Sequence, residues 1–127
     1  MMRSATIIAL VPVFVAVLPA GKPIHGATVP LQEQEVKVTM GDFWFKPSSI
    51  TVTSAPVRFV VKNNGVVAHT FFIEKIKGAL IDLVDPGKTG TLRISFKAGK
   101  YTAFCDVPGH RDAGMVMTIT VQTITVK

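Results

Sequence analysis

The stretch Cys105-Asp106-Val107-Pro108-Gly109-His110-Arg111-Asp112-Ala113-Gly114-Met115 decides how the chain is read. It carries a thiol, an imidazole and a thioether, with four residues between each and the next. A second imidazole, His69, heads the run His69-Thr70-Phe71-Phe72-Ile73 upstream. One thiolate, two imidazoles and one weak thioether form the ligand set of a mononuclear blue-copper site. The thiolate is a soft ligand that suits copper in both oxidation states. The imidazoles complete a trigonal plane, and the thioether sulfur sits above it as a long axial contact. Taken singly, each residue has a plainer use. A lone Cys is a small buried hydrophobe, a lone His a surface or satisfied core group, a lone Met a gap filler. Three of them in one turn-bounded loop, with a distant His on a strand, point to a metal.

The flanks of this loop read as strands. Tyr101 to Cys105 ends one, Gly114 to Val121 begins the next, and Pro108-Gly109 turns the chain between them. Tyr101, Ala103 and Cys105 share an inward face, as do Met115, Met117, Ile119 and Val121. Further out, alternation repeats. Val36 and Val38 alternate with charged neighbours, then Val57, Phe59 and Val61, then Leu92, Ile94 and Phe96. His69, Phe71 and Ile73 fall on one face of their strand, with Thr70 and Glu74 on the other. Asn63-Asn64-Gly65 and Asp85-Pro86-Gly87-Lys88 are turn signals, and Ala98-Gly99-Lys100 reads as a hairpin into Tyr101. Gly78-Ala79-Leu80-Ile81 is read as a short helical turn. Phe43-Trp44-Phe45 is read as core and edge packing that leads into a strand from Ile50 to Thr53. Short strands with turns between them predict an all-β, antiparallel sandwich.

From about Glu35 to Val121 the chain resembles the cupredoxins, the plastocyanin and azurin group of blue-copper proteins. The matching pieces are Pro56 to Gly65, Ala68-His69-Thr70-Phe71, Pro86-Gly87-Lys88-Thr89, Tyr101 to Cys105, Pro108-Gly109-His110 and Gly114-Met115. The gap between Cys105 and His110 is similar to that of the longer-loop members, auracyanin and rusticyanin. The resemblance implies a Greek-key sandwich of about seven to eight strands. It implies a type 1 site with one copper ion on His69, Cys105, His110 and Met115, and single-electron transfer as the activity. It also implies that the edge of His110 reaches the surface within an apolar patch, with Val66, Val67, Pro108 and Ala113 as rim candidates. Phe104 matches, more weakly, a position where plastocyanin carries an exposed docking aromatic. Met117 departs from the pattern, because similar loops often hold glycine there. It faces inward like Met115 and is the alternative axial donor, though the family spacing favours Met115.

The N-terminus reads as an export signal. Arg3 precedes an apolar run from Ala5 to Leu18, followed by Pro19-Ala20-Gly21. That run is shorter than a membrane span needs. Residues 1–20 are expected to be removed, or retained as an anchor. Residues 21–34 form a polar lead-in containing His25, read as a solvated tail residue, and residues 35–127 form the copper-binding domain. An exported chain with one Cys has no internal disulfide, and ligation protects a thiol in an oxidising compartment. The expected location is periplasmic or extracellular, with no membrane span unless the N-terminal segment stays attached.

Net charge is +6, but no block of like charges and no aromatic–basic interleave occurs, so nucleic acid is not the expected partner. A basic surface steers acidic redox partners, and a monomer is expected. Two other functions compete with electron transfer: copper delivery or sensing, and service as the cupredoxin subunit of a larger copper enzyme. The chain has three histidines, too few for the further copper centres of an oxidase or nitrite reductase. With one Cys it also lacks the pair that a binuclear centre needs. The reading is therefore not an enzyme.

Overall fold

The computed structural model describes residues 30–125, with positions 16, 20, 21 and 26 ahead of them. The expected export signal (but for Ala16 and Ala20) and His25 lie outside the described residues. Nine strands follow in order: β1 (Gln34–Gly41), β2 (Trp44–Lys46), β3 (Ser49–Thr53), β4 (Pro56–Asn63), β5 (His69–Ile73), β6 (Leu80–Val84), β7 (Thr89–Ser95), β8 (Gly99–Phe104) and β9 (Val116–Gln122). Among the described residues there is no helix.

Two sheets stack face to face, one ordered β2-β1-β4-β7 and the other β3-β9-β8-β5-β6. Period-two patterning explains the stacking. Val57, Phe59 and Val61 of β4 are fully buried, while Arg58, Val60 and Lys62 between them are at least partly exposed. Phe71, Ile73, Met117 and Ile119 face them from the second sheet. Aromatic rings tie the layers together. Phe71 packs edge-on to Phe45 at 5.6 Å and against Phe59 at 5.3 Å, and Phe59 reaches Phe96 at 6.2 Å. Truncating Phe59 to alanine would cost about 3–5 kcal/mol, the usual range for a buried Phe.

Four sequence expectations need correction. The sandwich is mixed rather than purely antiparallel, because β1 runs parallel to β4 and β3 parallel to β9. Leu80 and Ile81 belong to edge strand β6, not to a helical turn, since their backbone pairs with Phe71 and Phe72. Ala98-Gly99-Lys100 is not a hairpin: β7 pairs with β4 and β8 with β9, so this link crosses between the sheets. Thr70 is buried at 4% exposure instead of facing outward. A bulge between His69 and Phe71 shifts the register of β5 and lets both His69 and Thr70 turn inward.

Candidate metal centre

The site is built from the start of β5 and from the loop that joins β8 to β9. That loop is closed by its own backbone. Cys105 N–H donates to Met115 O at 3.2 Å, and Met115 N–H donates to His110 O at 3.1 Å. His110 N–H donates to Val107 O and Ala113 N–H to Gly109 O, at 3.0 and 3.1 Å. Gly114 has φ +102°, which an L side chain rarely adopts, and so lets the loop re-enter the sheet. Cys105 and Met115 are therefore neighbours at the loop base, and His110 is folded back over them.

Among the described residues, His69, Cys105 and His110 form the one metal-capable cluster of three. His69 Nδ1 lies 3.1 Å from His110 Nδ1, Cys105 Sγ lies 3.5 Å from His110 Nδ1, and Cys105 Sγ lies 3.9 Å from His69 Nδ1. A point equidistant from the three atoms is about 2 Å from each. That is the reach of a first-row metal to imidazole nitrogen and a little short of its reach to thiolate sulfur. Both imidazoles turn Nδ1 inward. Cys105 and His69 are fully buried, and His110 is half-buried. Met115, fully buried, is fixed to Cys105 and His110 by the backbone bonds above. Met117 instead pairs with Ala103 inside the β8–β9 ladder and belongs to the core. The donor chemistry, one soft thiolate with two neutral imidazoles and a thioether beside them, fits type 1 copper.

Groups around the donors hold them in place. His69 Nε2 lies 2.9 Å from Asp42 Oδ1, and the same carboxylate accepts Val66 N–H at 3.2 Å. The His69 hydrogen bond, opposed by partial burial, holds the Asp42 carboxyl below its ordinary range. Thr70 N–H points at Cys105 Sγ at 3.4 Å. The Thr70 hydroxyl accepts Asp106 N–H at 2.9 Å and lies against both the Asp106 carboxylate and Sγ. The hydroxyl has a single hydrogen, and the nearer, anionic carboxylate takes it, so the sulfur receives one N–H bond. Asn63, fully buried, donates through Nδ2 to Val67 O and Val84 O at 2.8 Å and accepts Gly65 N–H at 2.8 Å. It thereby ties the β4–β5 loop to the end of β6.

Sequence reasoning named His69, Cys105, His110 and Met115, and the structure gathers three of their donor atoms with the fourth residue at the loop base. It also leaves Val66 and Val67 exposed, at 81% and 45%. Phe104 is different: it is buried at 9%, packed edge-to-face with Phe72 and covered by the Arg111 guanidinium 4.0 Å above its ring. It is no exposed docking aromatic. Asp42, Phe43, Thr70 and Asn63 were missed as site residues. Gly41-Asp42-Phe43 reads as an ordinary turn, and nothing local marks a carboxylate for a histidine 27 residues away.

Two stacked β-sheets with a Cys–His–His cluster at one end define a cupredoxin-like protein. The Cupredoxin-like domain model matches residues 7–121, and the chain belongs to that family. Two relatives are named copper-resistant cuproprotein CopI. One, from Pseudomonas aeruginosa, is 28% identical over 80% of this chain and 82% of its own; the other, from Rubrivivax gelatinosus, is 33% identical over 82% and 74%. Among solved structures, reduced auracyanin from Roseiflexus castenholzii superposes with a TM-score of 0.63 at 18% identity, over 69% of this chain and 96% of its own. The blue copper oxidase of Nitrosomonas europaea gives 0.66 at 18% identity, over 76% of this chain and 41% of its own. At these identities the structural likenesses establish the fold.

Proposed function

We propose that His69, Cys105 and His110 hold one copper ion with Met115 as axial donor, and that the exported chain carries single electrons between redox partners. The observation behind this reading is the donor triangle, whose three atoms share a centre about 2 Å away. Bound copper would supply a Cu(II)/Cu(I) couple. The chain's own part is to keep the donors still. Asp42 anchors His69, Thr70 N–H steadies the Cys105 sulfur, and the self-bonded loop fixes His110. Donors that barely move between oxidation states keep the reorganisation barrier to electron transfer low. His110 is the most exposed member of the cluster, and the exposed Val66, Val67, Pro108 and Ala113 are the proposed rim of its docking patch. Net charge +6, or +5 once Arg3 leaves with the signal, favours an acidic partner. No enzyme activity is proposed, since three histidines cannot build additional oxidase centres.

A second reading, copper holding or delivery in copper tolerance, draws support from the name of the two relatives. One pair of measurements separates the two. Copper-loaded protein is mixed with a small reductant, and separately with a strong Cu(I) chelator. Electron transfer predicts an intense blue or green colour, fast reversible bleaching and slow metal loss. Rapid loss of copper with sluggish reduction favours delivery. In Cys105→Ser the colour should vanish while the sandwich still folds; strong colour in that variant would remove Cys105 from the ligand set.

A further inference from the structure

The turn between β1 and β2 consists of Asp42 and Phe43, and each reaches a different histidine. Asp42 Oδ1 accepts from His69 Nε2 at 2.9 Å. The Phe43 ring stands edge-on to the His110 imidazole, with centroids 5.1 Å apart and planes at 74°. Phe43 has φ 70°, a conformation seldom taken by a bulky L residue, so the turn is held in an uncommon shape at this place. Space has also been made for the carboxylate. A Cβ on Gly65 would collide with Asp42 Oδ1 and come within 3.0 Å of His69 Nε2. Val66 N–H lies 3.2 Å from each carboxylate oxygen. Two loops from different strand pairs thus set one carboxylate behind one imidazole.

A carboxylate offers only acceptors. The hydrogen between Asp42 and His69 therefore belongs to Nε2, which leaves the Nδ1 lone pair facing Cys105 and His110. His110 gets an apolar ring edge where His69 gets an anion. The buried histidine is the anchored one, and the half-exposed histidine is not. We propose that Asp42 is the positioning residue of the site: it fixes the His69 tautomer and places a permanent negative charge behind that ligand, biasing the centre toward Cu(II) and a lower reduction potential. This inference rests on the copper reading given above. An anion bonded to a ligating histidine raises the basicity of that ligand and stabilises the more highly charged ion.

The test uses the full chain loaded with copper, comparing wild type with Asp42→Asn. Asparagine keeps the size and an acceptor oxygen and removes the charge. The variant should stay coloured, with its Cu(II)-to-Cu(I) affinity ratio lowered about tenfold, which is a rise of about 59 mV in potential for one electron. A residue that only supports the turn would change thermal stability and leave the potential alone. A potential unchanged or lowered in a coloured variant overturns the proposal. Should Asp42→Asn fail to fold, the wild type carries a second readout. In the diamagnetic Cu(I) form, nitrogen-resolved NMR should find a slowly exchanging proton on His69 Nε2 and a faster one on His110. Equally fast exchange at both rings also overturns it. A wild type that takes up copper without colour sinks the copper reading and this inference together. A coloured wild type with an indifferent Asp42→Asn sinks the inference alone.

Discussion

Met115 and Met117 are two residues apart, both buried and both inward, yet their surroundings divide the work between them. Met115 is bonded through its backbone to Cys105 and to His110, at the mouth of the ligand loop. Met117 sits in register with Ala103 within the β8–β9 ladder. Met115→Leu should therefore keep copper and colour but raise the potential, because a weak donor to the oxidised ion is lost. Met117→Leu is a volume-conserving core exchange, expected to cost under about 1.5 kcal/mol and to move the potential much less. Redox titration of the two variants decides the axial assignment, and the reverse pattern would transfer it to Met117. The cluster of His69, Cys105 and His110 was legible in the sequence because thiol and imidazole groups are rare in this chain and the loop spacing is regular. Asp42, Phe43 and Thr70 were not. Asp, Phe and Thr serve many local purposes, and only the β1–β2 turn and the β5 bulge bring these three to the metal centre.

The β8–β9 loop is the element that carries most of the site, and it is latched from outside. Arg111 Nη2 pairs with Glu74 Oε1 at 2.7 Å, while its guanidinium lies over Phe104 at 4.0 Å. Glu74 follows β5, so the latch joins the His110 side of the loop to the strand that bears His69. Both charged groups are part-exposed, and the pair plus the ring contact stabilise by about 1 kcal/mol. The expected effect is mainly kinetic. Arg111→Ala should leave the colour intact and speed copper release to a chelator several-fold, because the loop opens more often. Arg111→Lys keeps the charge but loses the flat stack, and should fall between the two. Stopped-flow chelator competition reads this directly, and equal release rates in all three proteins would dismiss the latch. Among the elements, β4 and β9 were plain in the sequence, since Val57-Phe59-Val61 and Met117-Ile119-Val121 alternate strictly. Edge strand β6 was not. Its Leu80-Ile81-Asp82-Leu83-Val84 buries only Ile81 and Val84, a spacing that mimics one turn of helix.

At the scale of the molecule, the candidate ligands meet only when β5, β8 and β9 have paired within the second sheet. His69 opens β5, and the other three belong to the segment between β8 and β9. Copper therefore binds the native chain in preference to the unfolded one. At free copper a hundredfold above the dissociation constant it should add about 2.7 kcal/mol of stability, or roughly 10–20 °C in thermal midpoint. Calorimetry with and without copper checks this, and Cys105→Ser should lose most of the gain. Sheet order was beyond the reach of the sequence. Alternation shows which side of a strand is inward but carries no information about its neighbour, so the parallel pairs β1–β4 and β3–β9 came only from the structure.

One of those pairs governs when the protein can exist at all. Among the described residues, Ser49–Thr53 finds its strand partner only in Thr118–Gln122, far along the chain. Until those residues are made, neither edge of this end strand has a partner. Pairings this distant in sequence must close a long loop before any contact rewards them, and they fold slowly. A nascent chain cannot complete its second sheet, nor close the loop that brings Cys105 and Met115 to His69, until Val116–Gln122 has been made. The metal centre is thus among the last features of the fold to form, after β1, β2, β4 and β7 have all been made.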